Sequence, residues 1–190
     1  STIEGFNASI VVELSATPPR DANVLVRVSG KELLDEQMIK LPINIANSNQ
    51  RSWKECLTQA RDKRDELLRL AALHFKTSGT FIRPIVLVQV ERTGKDQRDA
   101  GFVHSEDVKA HLLRLGIHES SIAIKSAETD DIEGIDLLAE GCPVEWIITK
   151  SALQEGWDCP FAYILVSLNN TGSQQSMTQL VGRVLRQPYA

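Results

Sequence analysis

The chain has 190 residues, of which 42% are hydrophobic and 24% are charged, a composition typical of one globular domain with its own core. Lysine and arginine number 21 and aspartate and glutamate 25, which gives a formal net charge of −4. This balance excludes a bulk electrostatic attraction to nucleic acid, so any such contact must come from a local patch. The sequence contains no apolar run of about 18 residues and predicts no membrane span.

The first residues carry neither a basic segment nor a long apolar stretch, so we expect no signal peptide and a cytoplasmic protein. The chain lacks an initial Met and stops directly after a strongly patterned helix, so we expect a piece of something larger. Its three cysteines are widely spaced and argue against a disulfide framework. No CxxC or HxxxH pair indicates a zinc site, and the four histidines are interpreted as structural or surface residues. Cys159 is interpreted as a core residue, with a nucleophile as the alternative.

Three strands are predicted near the start of the chain. The β-branched run at Ile10–Leu14 predicts a buried strand, which the following prolines end. Val24–Val28 predicts a second strand, and Met38–Ile45 a third, in which a proline favours an edge position. We expect the last two strands to form a small β excursion over residues 21–46 before the main fold.

The main fold is predicted to begin with a long amphipathic helix at about residues 52–76, whose charged face is solvated. Strands and helices then alternate, and the strands are almost continuously apolar. This pattern favours an α/β fold in which a parallel sheet carries helices on both faces. The predicted strands are Pro84–Val90, Ser121–Ile124, Val144–Thr149 and Ala162–Leu168, and the later predicted helices are Ser105–Leu115, Gly134–Glu140 and Ser173–Arg186.

The last predicted helix has two faces. Its buried stripe comprises Met177, Leu180, Val181 and Val184. Gln179, Arg183 and Arg186 share an arc of about 60° on the opposite side. Gly182 lies beside them, and a glycine in mid-helix favours a group that approaches the backbone closely. Two arginines one turn apart suit a transferring phosphoryl group, whereas the alternative is a solvated surface helix.

A polar segment, TKSALQEGWDCP, begins at the last residue of the strand predicted at Val144–Thr149. It therefore lies at the carboxyl end of a parallel strand, where open α/β sheets bind ligands. Gly156 permits a tight turn, and Asp158 can accept hydrogen bonds from a ribose. The alternative is a plain connection between strands, in which Trp157 packs and Asp158 caps a turn.

Three segments together resemble motifs III, V and VI of the superfamily 2 helicases, in matching order: SAT at Ser15–Thr17, ALQEGWDCP at 152–160 and QLVGRVLR at 179–186. The last two are most similar to the helicase subunit of type III restriction enzymes and their DEAD/DEAH-like relatives. The resemblance implies that residues 47–190 form the second RecA-like (P-loop NTPase-like) lobe of an ATP-dependent DNA helicase or translocase. Residues 1–20 would be the last strand and motif III segment of the preceding lobe.

The resemblance also implies roles for the matched residues. The catalytic arginine fingers would be Arg183 and Arg186, and the nucleotide-binding residues would be Gly156, Asp158, Gln179 and Gly182. The nucleic-acid backbone would face Thr149, Lys150 and Ser151, and the two lobes would be coupled through Ser15 and Thr17. The implied ligands are ATP and Mg²⁺, and the implied partners are DNA, the first lobe and a modification subunit.

The chain departs from the helicase pattern in one respect: it contains no GxxxxGK[ST] sequence, so it has no P-loop of its own. We therefore expect the first lobe to hold most of the ATP and Mg²⁺, and we expect no activity and no metal site in this fragment alone. Two alternatives stay open. One is a non-motor α/β binding module whose Arg183 and Arg186 grip an acidic partner; the other is an RNA-directed helicase.

Overall fold

The computed structural model describes residues 9–15, 18–40, 42–46, 52–91, 103–126, 129–150, 159–168, 181–182 and 184–188. Its strands are β1 (Ile85–Gln89), β2 (Ile122–Lys125), β3 (Trp146–Thr149) and β4 (Ala162–Ser167). Its helices are α1 (Gly30–Asp35), α2 (Trp53–Ser78) and α3 (Ser105–Arg114), and a 3₁₀ turn at Glu119–Ser121 precedes β2. The four strands form one sheet in the order β2-β3-β1-β4.

All pairings in this sheet are parallel, and β3 lies between β1 and β2. In the register, Val86 lies opposite Trp146 on β3, and Leu87 lies opposite Leu165 on β4. The carboxyl ends of the four strands therefore meet at a single edge of the sheet. The α/β class and the parallel sheet predicted from the sequence are confirmed.

Alternate strand residues point to opposite faces of the sheet, and a separate core cluster covers each face. On one face, Val86 and Val88 belong to a core cluster to which α2 and α3 contribute Leu57, Ala60, Val108 and Leu112. On the other face, the cluster contains Ile85, Leu87, Ile147, Phe161 and Val184. Val184 is one of the described helical residues near the end of the chain, so this residue and the long helix α2 pack on opposite faces of the sheet.

Helix α2 begins and ends close to the predicted positions for identifiable reasons. Ser52 and Glu55 form a reciprocal capping box at its start, and Gly79 ends it with a φ of 71°. The predicted apolar stripe is buried at Leu57 and Ala71, whereas His74 is exposed. The second half of the helix extends beyond the main packing layer, and several of its large apolar side chains are exposed.

A buried arginine on α2 was not predicted from the sequence. Arg64 is 4% exposed, and its Nε donates a hydrogen bond to the carbonyl of Pro84 at 3.1 Å. Its Nη2 lies 2.6 Å from Glu145 Oε1. The two groups form an ion pair, but the N–H of Arg64 does not point at the carboxylate oxygen well enough for a hydrogen bond. Arg64 therefore ties α2 to the segments that lead into β1 and β3.

The strands predicted at Ile10–Leu14 and Val24–Val28 are wrong for the described structure. Both segments lack regular secondary structure and are exposed; Leu14 is 99% exposed. A strand needs a neighbour to complete its hydrogen bonds, and no described strand pairs with either segment. Of the strand predicted at Met38–Ile45, only Ile39 forms a bridge. The excursion over residues 21–46 consists instead of α1 and this single paired segment.

The short helix predicted at Gly134–Glu140 is a series of turns. Gly134 has a φ of 71°, which a right-handed helix does not accommodate. The Oδ1 of Asp136 accepts a hydrogen bond from the amide of Leu138 at 2.8 Å, which favours a turn over a helix. Helix α3 ends as predicted, but its N-terminal cap is His104 rather than Ser105. Among the described residues, no helix combines the length and apolar character needed to cross a membrane.

Candidate functional site

The end of the last helix is the part of the candidate site that the structure describes best. Val181, Gly182 and Val184 are helical, and the amide of Leu185 donates to the carbonyl of Val181 at 3.0 Å. Val184 packs on the sheet, as predicted, and Arg186 is exposed. The helix does not continue to Arg186, however, because Arg186 pairs with Ile39 in an antiparallel β-bridge. The direction of Arg186 is therefore set by this bridge rather than by helical periodicity.

Gly182 has open space beside it. A Cβ atom built on this residue would meet no described neighbouring atom within 4 Å, and the residue is exposed. Its φ is not in the left-handed region, so backbone conformation does not require a glycine here. The described chain thus gives no internal reason for this glycine, while its backbone is accessible to an outside group.

The bridge belongs to a short antiparallel pairing between the excursion and the end of the chain. The amide of Lys40 donates to the carbonyl of Leu185 at 2.6 Å, and the amide of Gln187 donates to the carbonyl of Met38 at 3.2 Å. The side chain of Gln187 also donates to the carbonyl of Ile39 at 3.3 Å. The polar groups at the end of the last helix are thereby partnered by a segment from the opposite end of the chain.

Lys40 fixes this pairing to the sheet. Its Nζ donates to the carbonyls of Pro160 and Ala162 at 2.7 and 2.8 Å, and it lies 4.1 Å from the centre of the Tyr163 ring. Ala162 is the first residue of β4, so the contact lies at the amino end of that strand. Sequence reasoning missed Lys40, because nothing in its local pattern distinguishes it from a surface lysine.

The carboxyl ends of the strands carry a second group of polar residues. Gln89, Glu91 and Thr149 are 7%, 6% and 1% exposed. The hydroxyl of Ser167 donates to Gln89 Oε1 at 3.4 Å. Sequence reasoning also missed Gln89 and Glu91, although polar residues that end an apolar strand are a usable signal of a ligand-facing edge.

Thr149, for which the sequence predicts a nucleic-acid contact, is the last residue of β3. Its side chain is buried at the end of β3, where its carbonyl accepts from the amide of Val90 at 2.9 Å. A buried hydroxyl presents no surface to a phosphate. Lys150, the next residue, is half-buried. This edge is at the opposite end of the strands from the contacts of Lys40.

Cys159 lies three residues before the start of β4 and is fully buried. Burial raises the pKa of its thiol to about 11, so the thiol stays protonated at neutral pH. Burial and the raised pKa favour the core interpretation over the nucleophile alternative, since the reactive form of cysteine is the thiolate. All three cysteines are free thiols.

The histidines have packing or surface positions, as predicted. His104 caps α3, and His111 contacts the Trp53 ring edge-on with 5.4 Å between ring centres. Burial lowers the pKa of His111, which favours its neutral form. His74 and His118 are exposed. Within the described ranges, no cluster of three or more histidine, cysteine or acidic side chains is arranged to hold a metal ion.

Several predicted site residues lie outside the described residues: Thr17, Ser151, Gly156, Asp158, Gln179 and Arg183. Ser15 is described and lies exposed in an irregular segment. The structure thus brings Arg186 together with Ile39 and Lys40, and it places Thr149 and Lys150 at the carboxyl edge of the sheet.

A scan against protein-family models finds no match to the chain, and neither a search of the curated proteins nor a search of the solved structures finds a match.

Proposed function

We propose that this chain is the second RecA-like lobe of an ATP-dependent DNA helicase or translocase, similar to the helicase subunit of type III restriction enzymes. The parallel order β2-β3-β1-β4 with helices on both faces is compatible with such a lobe. The observation that carries the proposal is the exposed Arg186, whose backbone pairs with Ile39 directly after helical residues that include Val184, a residue packed on the sheet.

The chemistry of this arrangement suits a phosphate. A guanidinium is always charged and presents donors that match phosphate oxygens in pairs. Arg186 is exposed, and pairing with Ile39 fixes its backbone, so its charged side chain extends from a fixed point of the main chain. The space beside Gly182 admits a ligand close to the main chain. These residues fit the triphosphate end of ATP presented by another lobe.

In the proposed reaction, Arg186 and Arg183 stabilise the negative charge that develops on the phosphate oxygens during hydrolysis. The preceding lobe supplies the P-loop and holds most of the ATP and Mg²⁺, because this chain has no P-loop sequence. ATP closes the two lobes, and their closure and reopening move the contact of Lys150 with the backbone one step along DNA. A modification subunit is a further proposed partner, and we place the protein in the cytoplasm.

The exposed apolar side chains at the start of the chain support a covering lobe. Ile10, Val12 and Leu14 are 82%, 71% and 99% exposed. Contiguous apolar residues that remain exposed usually mark a contact with another protein surface. The assignment of residues 1–20 to a preceding lobe gives this segment the neighbours that it lacks.

The test is DNA-stimulated ATP hydrolysis by the parent chain that contains both lobes. Replacing an arginine finger is expected to lower turnover by about 10³-fold, so Arg186→Ala should collapse turnover while DNA binding persists. Arg69→Ala is the matched control, since Arg69 is an exposed arginine on α2, on the other side of the sheet. It should leave turnover unchanged.

Unchanged turnover in Arg186→Ala would contradict the helicase proposal and favour the alternative of a non-motor module that binds an acidic partner. Stimulation by RNA in place of DNA would favour the RNA-directed alternative. The same assay therefore separates the three functions, provided that both polymers are compared at one salt concentration.

A further inference from the structure

The contacts of Lys40 join the two sequence segments that matter most to the proposed function. Its ammonium binds the carbonyl of Pro160, the last residue of the EGWDCP segment, and that of Ala162 at the start of β4. Its amide binds the carbonyl of Leu185, the residue before Arg186. One residue from the excursion thus contacts both the turn that leads into β4 and the end of the last helix.

The two carbonyl oxygens and the Tyr163 ring are the partners that suit the ammonium of a lysine side chain. An ammonium has three donors and no acceptor, and here it faces two carbonyl oxygens and the ring of Tyr163. Lys40 is half-buried, so these interactions are partly removed from water. Hydrogen bonds that involve a charged group are roughly twice as strong as neutral ones.

The backbone pairing alone is a weak support for Arg186. It consists of one bridge, at Ile39, with hydrogen bonds from the amides of Lys40 and Gln187. An isolated pair of strands is marginally stable in water, and the flanking part of the excursion is exposed. The anchor of Lys40 on β4 is therefore what keeps the bridge, and with it the backbone of Arg186, in one position relative to the sheet.

We infer that Lys40 is a positioning residue for Arg186: it clamps the Met38–Lys40 segment to the start of β4 and so fixes the arginine that reaches the phosphate. The inference rests on the proposed function. Lys40 does not touch the nucleotide; it acts through the bridge between Ile39 and Arg186. Loss of the clamp lets Arg186 sample other positions, which reduces its stabilisation of the transition state more than the binding of ATP.

The experiment measures kcat and KM for ATP in the parent chain with saturating DNA. Lys40→Met keeps the length of the side chain but removes the donors; we expect kcat to fall about 10- to 100-fold, the scale of a small misplacement of a catalytic group. The KM for ATP should change less than about threefold. Lys40→Arg keeps the charge and donors and should recover most of the activity. Lys31→Met, at an exposed lysine of α1, is the control.

A double variant separates positioning from a general loss of structure. If Lys40 acts through Arg186, then adding Lys40→Met to Arg186→Ala should lower kcat no further than Arg186→Ala alone. Tyr163→Leu provides a milder variant, which removes the ring but keeps the carbonyl partners of Lys40. It should lower kcat in the same direction by a smaller factor, with an unchanged melting temperature.

The failures of the two proposals differ. The positioning role would be overturned if the two substitutions lowered kcat independently, so that their factors multiplied in the double variant. It would also be overturned if Lys40→Met left kcat unchanged while Arg186→Ala abolished turnover. Neither result would contradict the helicase proposal. Unchanged turnover in Arg186→Ala would overturn both. A Lys40→Arg variant as poor as Lys40→Met, with native melting, would also contradict the role of the ammonium contacts.

Discussion

Ile39 and Arg186 pair as an antiparallel bridge, which joins the excursion near the start of the chain to the end of the last helix. The bridge explains where that helix stops, because the carbonyl of Leu185 accepts from the amide of Lys40 instead of from a later helical residue. Pro188, which cannot donate a backbone hydrogen bond, follows shortly after. The position of Arg186 is thus a property of the folded chain and not of its local sequence.

Gly182→Ala should separate the stability of the helix from its function. Because a Cβ would meet no atom of the described residues within 4 Å, we expect the variant to be as stable as the native protein or up to about 1 kcal/mol more stable. If a phosphate approaches this backbone, ATP turnover of the parent chain should fall about tenfold, which corresponds to ~1.4 kcal/mol in activation free energy. Urea denaturation and ATP hydrolysis measure the two effects.

Gly141→Ala is the control for this variant, since a Cβ there also meets nothing within 4 Å and lies in a turn outside the last helix. It should leave turnover unchanged. A Gly182→Ala variant with full turnover would show that no ligand needs the space beside Gly182.

Arg64→Ala should destabilise the fold by about 3 kcal/mol, the scale for breaking a buried ion pair by removal of one partner. The loss arises because Glu145 loses its cation and the carbonyl of Pro84 loses its donor. Lys63→Ala is the matched control: its ion pair with Glu66 is exposed, and its loss should change the free energy of unfolding by less than about 0.5 kcal/mol. Equal effects in urea denaturation would contradict the structural role of Arg64.

Cys159 should not react with thiol reagents in the folded protein. Its thiol has a pKa of about 11 because of burial, so little thiolate is present at pH 8. Cys56 and Cys142 are half-buried and should react before Cys159, which should react only after unfolding. Titration with a chromogenic disulfide, followed by peptide mass spectrometry, identifies the order. Early labelling of Cys159 would show that its environment is open to solvent.

The same shift predicts a pH dependence of stability. The folded-state pKa of Cys159 lies above its ordinary value of 9.0, so the folded state retains the proton that the unfolded state loses first. Stability should therefore decrease as the pH rises from about 9.0 to about 11. A Cys159→Ala variant should lack this part of the decrease, which urea denaturation at a series of pH values would measure.

Lys150→Ala should weaken DNA binding by the parent chain and reduce the slope of log affinity against log salt by about one, as expected for the loss of one phosphate contact. Thr149→Val should leave DNA affinity unchanged, because the hydroxyl is buried. Lys54→Ala, at an exposed lysine on α2, is the charge control. A weaker affinity in Thr149→Val than in Lys150→Ala would show that the Thr149 hydroxyl contributes more to DNA binding than the Lys150 ammonium.

The strands of the sheet could be predicted because their local signals agree with their environment. The apolar run around Leu87 and the run around Ile147 are buried on both faces, so every residue is selected for the core. Helix α2 was predictable for a similar reason, since Ser52 and Gly79 mark its ends and Leu57 recurs in a helical stripe. In these elements, the residues that the hydrophobic periodicity predicts to be buried are the ones that the fold buries.

The prediction at Ile10–Leu14 failed because β-branched residues favour a strand only where a partner strand exists, and the described chain offers none. The buried position of Arg64 could not be predicted, because no local pattern shows that Glu145 and the carbonyl of Pro84 lie beside it in the fold. The burial of Gln89 at the end of β1 and of Glu91 just after it could not be predicted from the apolar pattern of the strand, because both side chains are polar.

The sequence by itself determined the α/β class, the parallel sheet and the buried side of the last helix at Val184, because these follow from local hydrophobic periodicity. Only the tertiary structure decided the strand order, the burial of Thr149 and the clamp that Lys40 forms between β4 and the residue before Arg186. Such contacts join segments far apart in the chain, and their energy depends on distances and on desolvation that no local pattern encodes.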